Sequence, residues 1–158
     1  MTLTGKDLTG EDLAGEDLAR MTGLEIMRAV AAGELPPPTI ALLLGMRPVE
    51  VDEGLAVFEM TPDERMMNPI GSVHGGIAAT LLDSCMGCAV HTTLAPGQGY
   101  TTAQLNLHYL RAMQPGMGTV RATGTVIHRG RRQSTAEGKL YDAEGRLIAH
   151  GTTTCLIL

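Results

Sequence analysis

The sequence predicts an α+β domain in which one antiparallel sheet wraps around a single long central helix. Three observations carry that reading. Gly75 to about Leu94 is apolar on every side, as in a helix buried within a core. The segments before and after it alternate apolar and polar residues and are broken by tight-turn residues, the pattern of hairpin strands. A single sheet must bury its apolar face on something, and that helix is the only segment large enough to cover it.

The chain opens on a near-repeat of five residues: Thr4-Gly5-Lys6-Asp7-Leu8, Thr9-Gly10-Glu11-Asp12-Leu13 and Ala14-Gly15-Glu16-Asp17-Leu18. Three copies are too few for a solenoid, because each repeat buries its face only against neighbours. A period of five also misses the helical 3.6, so the leucines spiral around any helix. Residues 1–22 are read as an acidic, low-complexity N-terminal arm, and residues 23–158 as one domain. Removing the arm is expected to leave the chemistry intact.

From Met21 the pattern turns helical, with Leu24, Met27 and Ala31 at helical spacing up to Gly33, and Pro36-Pro37-Pro38 stops it. Thr39 is placed to cap a short turn, Ile40 to Leu44, that Gly45 ends. Met46 to Val51 and Leu55 to Met60 form a hairpin about Asp52-Glu53-Gly54. A loop carrying Pro62, Pro69 and Gly71 leads into the long helix, which Ala95-Pro96-Gly97 closes. Four strands follow: Thr101 to Leu110, Gly118 to His128, Gln133 to Tyr141 and Arg146 to Leu158. Arg129-Gly130 and Asp142-Ala143-Glu144-Gly145 turn between the later ones.

Bulk properties narrow the function. At 158 residues and 44% hydrophobic, the chain can form one core. With one Phe, three Tyr and no Trp, that core must be aliphatic, and ten Met make it adaptable. A net charge of −5 without a basic block disfavours nucleic acid as a partner. Three Cys in no disulfide framework suit a reducing, cytoplasmic home. No signal peptide is expected, because the first twenty residues carry acidic residues and no apolar run. The longest apolar run, Ile77 to Val90, is interrupted by Asp83 and falls short of the roughly 20 residues of a membrane span. Cys85 and Cys88 form C-x-x-C with no second pair, so they read as small core residues and not as a metal site.

Asp83 is the only acid in the long helix. An unpaired carboxylate on a buried helix is costly, so it is either a structural hydrogen-bond hub or a reactive group in a cleft. The lead-in Asn68-Pro69-Ile70-Gly71-Ser72-Val73-His74-Gly75-Gly76 points to the second. Paired glycines allow a ligand close to the backbone, and free N–H groups at a helix start suit a developing oxyanion. Gly75 and Asp83 are eight residues apart, about 12 Å of helical rise, too far to act on one carbonyl within one chain. They can cooperate only across a two-fold axis.

Asn68 through Asp83 resembles the hotdog-fold acyl-CoA thioesterases of the PaaI-like and 4-hydroxybenzoyl-CoA thioesterase type. The likeness extends from about Leu35 to Leu158, through Tyr100-Thr101-Thr102 to Arg111 and Asp142 to Gly151. It implies a hotdog fold and acyl-CoA hydrolysis with no cofactor beyond the coenzyme A of the substrate. It implies Asp83 as general base or nucleophile, Gly75 N–H as oxyanion donor, and Asn68 orienting thioester or water. Thr102, with Thr101 as the near alternative, would place the water or the acid. His74 belongs to the motif with a catalytic or structural role, and Gly76 would border the substrate. The family's sites form at a homodimer interface, and many members are dimers of dimers. Gly87 stands where aryl-CoA members often place a side chain that contacts the acid, which leaves the acyl group open.

Coenzyme A needs basic partners for its phosphates, and Arg111, Arg129, Arg131 and Arg132 are the candidates, set against plain solvated turn surface. Two other readings stand beside the thioesterase. A hotdog enoyl-CoA hydratase or dehydratase would carry His five residues after the Asp, where this chain has Cys88. A non-catalytic acyl-CoA-binding module would have no use for Asp83.

Overall fold

A computed structural model describes residues 18–158; the N-terminal near-repeat lies outside the described residues apart from Leu18. Helix α1, Gly23–Ala32, opens on a capping box: Thr22 accepts from the Glu25 amide, and the Glu25 carboxylate accepts from the Thr22 amide at 2.7 Å. Thr22 therefore works with the helix that follows it. In α2, Thr39–Leu44, the cap is Pro38 and not Thr39. Proline presets φ at −62° and leaves its carbonyl free to accept from the Ala41 and Leu42 amides, so Thr39 is already helical.

Strands β1, Arg47–Asp52, and β2, Leu55–Met60, pair as a hairpin, and a short 3-10 turn at Glu64–Met66 precedes α3, Gly75–His91. Helix α3 ends three residues before Leu94 because Thr92 and Thr93 turn their hydroxyls back onto the Ala89 and Val90 carbonyls, both at 2.7 Å. Strands β3, Tyr100–Tyr109, β4, Val120–Arg129, β5, Gln133–Tyr141, and β6, Leu147–Ile157, complete the chain. The six strands lie in the order β1-β2-β4-β5-β6-β3, each antiparallel to its neighbours. Among the described residues, strand β3 pairs with β6 alone and leaves its other side as an open sheet edge.

The sheet curls around α3, whose Leu81, Leu82, Cys85, Met86, Ala89 and Val90 are buried against Ala122, Val120, Ala136, Leu140, Ala149 and Cys155. Two glycines in register on β4 and β5 let the helix lie this close. A Cβ on Gly124 would fall 2.3 Å from the Cys85 carbonyl oxygen, and one on Gly138 2.9 Å from Met86 Cγ. The helix is not enclosed on every side, contrary to the sequence expectation. Gly76 is exposed and Thr80, Asp83, Ser84 and His91 are half-buried, because the sheet wraps only part of its circumference.

Candidate active site

The loop before α3 is built by Asn68. Its carbonyl oxygen accepts from the amides of Ile70 at 3.0 Å and Ser72 at 3.2 Å, and its amide nitrogen donates to Ser72 Oγ at 2.9 Å. The side chain thus shapes the loop and keeps one further N–H to offer. His74 is the N-cap of α3: its Nδ1 accepts from the Gly76 amide at 2.9 Å. An imidazole nitrogen that accepts is unprotonated, so His74 commits Nδ1 to holding the helix start. Gly76 likewise spends its N–H inside the chain, and a Cβ there would sit 2.9 Å from that same Nδ1.

The Gly75 amide is different, for it has no acceptor among the described residues. It stands in the first turn, where the helix dipole adds positive potential. A Cβ on Gly75 would meet the Tyr109 ring at 3.5 Å, ordinary contact, so the chain's own packing does not demand glycine here. Beside it opens a cavity of about 300 Å³ bordered by Asn68, Gly75, Tyr109, Arg111, Met113 and Ile148.

Asp83 lies a little over two turns further along α3, half-buried and facing the end of β3 opposite Tyr109. Asp83 is not the buried carboxylate expected from the sequence, because it occupies the helix stripe that the sheet leaves uncovered. Thr102 Oγ1 donates to its Oδ1 at 3.0 Å. Strand alternation decides between the two candidate threonines: Thr102 is opposite buried Cys155, whereas Thr101 is opposite exposed Leu156 and faces the other way. Two residues before Thr102 on the inner face, the Tyr100 ring covers Gly87, where a Cβ would fall 2.8 Å from the phenol oxygen. Sequence reasoning passed over Tyr100, although the matched spacings of 100 and 102 on the strand and 83 and 87 on the helix hold the signal. Burial pushes the Tyr100 phenol up, and burial likewise raises the Cys88 thiol to about 12. Burial, with a smaller push from Cys88, also raises Cys85, so both cysteines stay protonated thiols.

The arginines separate. Arg111 borders the cavity at Gly75 and donates to the Leu147 carbonyl. Arg129 is half-buried and turned into its own loop, donating to the Gly130 carbonyl and to Gln98 Oε1 at 3.4 Å. Arg131 and Arg132 are exposed and border a second cavity of about 580 Å³ with His128, Gln133, Leu156 and Leu158. Arg111, Arg131 and Arg132 make no ion pair among the described residues. No helix among the described residues is long and apolar enough to cross a membrane.

A sheet curled about one long helix is the hotdog architecture, and thioesterase-named relatives make this a thioester hydrolase. Residues 70–149 match the thioesterase superfamily, and the chain belongs to that family, within its PaaI-like group. It is 31% identical over 108 residues to the proofreading thioesterase EntH of Klebsiella pneumoniae, covering 68% of this chain and 77% of that one. It is 25% identical over 114 residues to the 1,4-dihydroxy-2-naphthoyl-CoA hydrolase of Listeria monocytogenes, covering 72% and 91%. A phenylacetic acid degradation-related protein from Ralstonia eutropha superposes with a TM-score of 0.75 at 32% identity, over 82% of this chain and 98% of that one. The PaaI protein of E. coli shares the fold with a TM-score of 0.76 at 23% identity, over 87% and 96%.

Proposed function

We propose that the protein hydrolyses an aryl-, arylacetyl- or medium-chain acyl-CoA thioester, using Gly75 and Asn68 of one subunit with Asp83 and Thr102 of another. One observation carries this reading: the unused Gly75 amide and the Asp83 carboxylate flank opposite ends of β3, an edge strand with no partner on its outer side among the described residues. If two copies join along that edge by antiparallel pairing, the Tyr109 end of one meets the Tyr100 end of the other. Each Gly75 then faces its partner's Asp83, and the pair closes on a two-fold axis.

In that site the thioester oxygen points at the Gly75 N–H and the helix start, which stabilise the charge that develops on it. Asp83 takes a proton from water as the water adds to the carbonyl carbon. The tetrahedral intermediate then collapses with loss of the coenzyme A thiolate and release of the acid. Alternatively Asp83 adds directly, expelling the thiolate and leaving an anhydride that water cleaves. The one free N–H of Asn68 and the Thr102 hydroxyl position the reactants. Arg111 from one copy, with Arg131 and Arg132 from the other, supplies unpaired positive charge for the phosphates; Arg129, already engaged, is the weakest of the four candidates. The name of the Listeria relative, a naphthoyl-CoA hydrolase, supports an aromatic acyl group. The proposed working unit is a homodimer, able to pair into a dimer of dimers.

The test is complementation between two inactive chains. Gly75→Pro deletes the proposed donor at the first helical position, where proline is tolerated, after His74, whose ψ of 133° suits a residue preceding proline. Asp83→Asn deletes the carboxylate. Each variant alone should be inactive on a panel of acyl-CoA thioesters followed by thiol release. Refolding the two together should restore activity, because a mixed dimer holds one intact site. Two inactive chains that stay inactive when mixed, despite forming mixed dimers, would defeat the shared-site reading.

A further inference from the structure

Resting on that reading, we infer that Tyr109 is a positioning residue of the reaction centre, holding the Gly75 amide in place for the oxyanion. Tyr109 is the last residue of β3 and lies on the inner face, opposite Ala149. Its phenol donates to the Gly75 carbonyl oxygen at 3.2 Å, a link across 34 residues of sequence from the sheet to the first turn of α3. Its ring lies flat enough on Gly75 that an added Cβ would touch Cε1 at 3.5 Å and Cζ at 3.6 Å. The same ring borders the cavity of about 300 Å³ beside the Gly75 amide.

Three side chains thus brace the start of α3. His74 ties down the Gly76 amide, Asn68 shapes the loop before the helix, and Tyr109 fixes the Gly75 carbonyl from the side of the sheet. The first turn of a helix is where fraying is easiest, since its leading N–H groups have no partner within the helix. An oxyanion donor is useful only if its direction is set before the charge develops, because reorganising it during the reaction forfeits the stabilisation. Tyr109 is 53% exposed, so its hydroxyl is not buried for want of a better place, and water could satisfy it without this bond. What the bond adds is a fixed distance between the edge strand and the helix start.

The hydroxyl and the ring have separable effects. Tyr109→Phe keeps the wall of the cavity and removes only the tie, so kcat should fall roughly tenfold with KM within about twofold and the melting temperature unchanged. Tyr109→Leu removes the wall as well, and KM should then rise in addition. Amide hydrogen exchange at Gly76, whose N–H is held by His74 Nδ1, gives a readout free of catalysis: it should exchange faster in Tyr109→Phe. Wild-type kcat in Tyr109→Phe would overturn the inference, as would unchanged exchange at the Gly76 amide. Should the wild-type chain hydrolyse no thioester, the hydrolase reading fails while the exchange measurement still decides whether Tyr109 holds the helix start.

Discussion

The Thr102 hydroxyl donates to Asp83 Oδ1 at 3.0 Å, joining the edge strand to the helix at the point where the carboxylate faces the open side of the sheet. A carboxylate on a half-covered helix face can swing between rotamers, and this bond selects one. Thr102→Val keeps the shape and loses the donor. We expect kcat to drop about tenfold with KM little changed, and Thr102→Ser to recover most of the loss, as steady-state kinetics on one acyl-CoA would record.

Asp83→Asn should abolish turnover by a factor of about 10³ or more while the fold is kept. The carboxylate is half-buried with one side-chain hydrogen bond, and the Asn carbonyl can still accept from Thr102. Circular dichroism and a melting temperature within a few degrees of wild type would confirm that only chemistry was lost. Retained turnover would remove Asp83 from the mechanism.

Gly124→Ala and Gly138→Ala are both overpacking substitutions, yet they should differ. At Gly124 the obstacle is backbone, the Cys85 carbonyl at 2.3 Å, and cannot move without displacing α3. At Gly138 the nearest atom is Met86 Cγ at 2.9 Å, on a flexible side chain. Chemical denaturation should give a loss of about 3 kcal/mol or more for the first and about 1–2 kcal/mol for the second.

The β5–β6 turn makes stability fall in acid. Burial pushes the Asp142 carboxyl up, but hydrogen bonds from the Arg146 amide and guanidinium and from the Glu144 amide outweigh it and leave it below its ordinary value. A carboxyl lowered on folding adds stability above its unfolded pKa and loses it as pH falls through the lowered folded value. Asp142→Asn should therefore be less stable near neutrality, and its stability should change less with pH below about 4, as denaturation midpoints across pH would show.

Much of the fold was legible because periodicity reports burial directly. The strand Gln133–Tyr141 emerged with the bounds read from alternation, and Leu55–Met60 likewise. The errors fell at ends, where local chemistry competes with pattern. Pro38 displaced Thr39 as a cap, and two threonine hydroxyls stopped α3 at His91. Among the site residues, Thr102 over Thr101 needed the strand's register against β6, which a loop of uncertain length had obscured. Arg129 looked like its neighbours in sequence, and only its position on the inner face set it apart.

By itself, the sequence determined the long apolar helix, the run of hairpins around it, and the Asn68-to-Asp83 segment that carries the family resemblance. These are local properties, encoded in side-chain period and in which residues sit next to a helix start. Only the tertiary structure decided that Gly75 keeps a free amide among the described residues while Gly76 does not, that Tyr109 packs on Gly75 and Tyr100 on Gly87, and that Asp83 lies half-exposed. Those facts depend on which strand lands at the sheet edge and how far the sheet reaches around the helix. They are set by long-range packing, to which no window of neighbouring residues is sensitive.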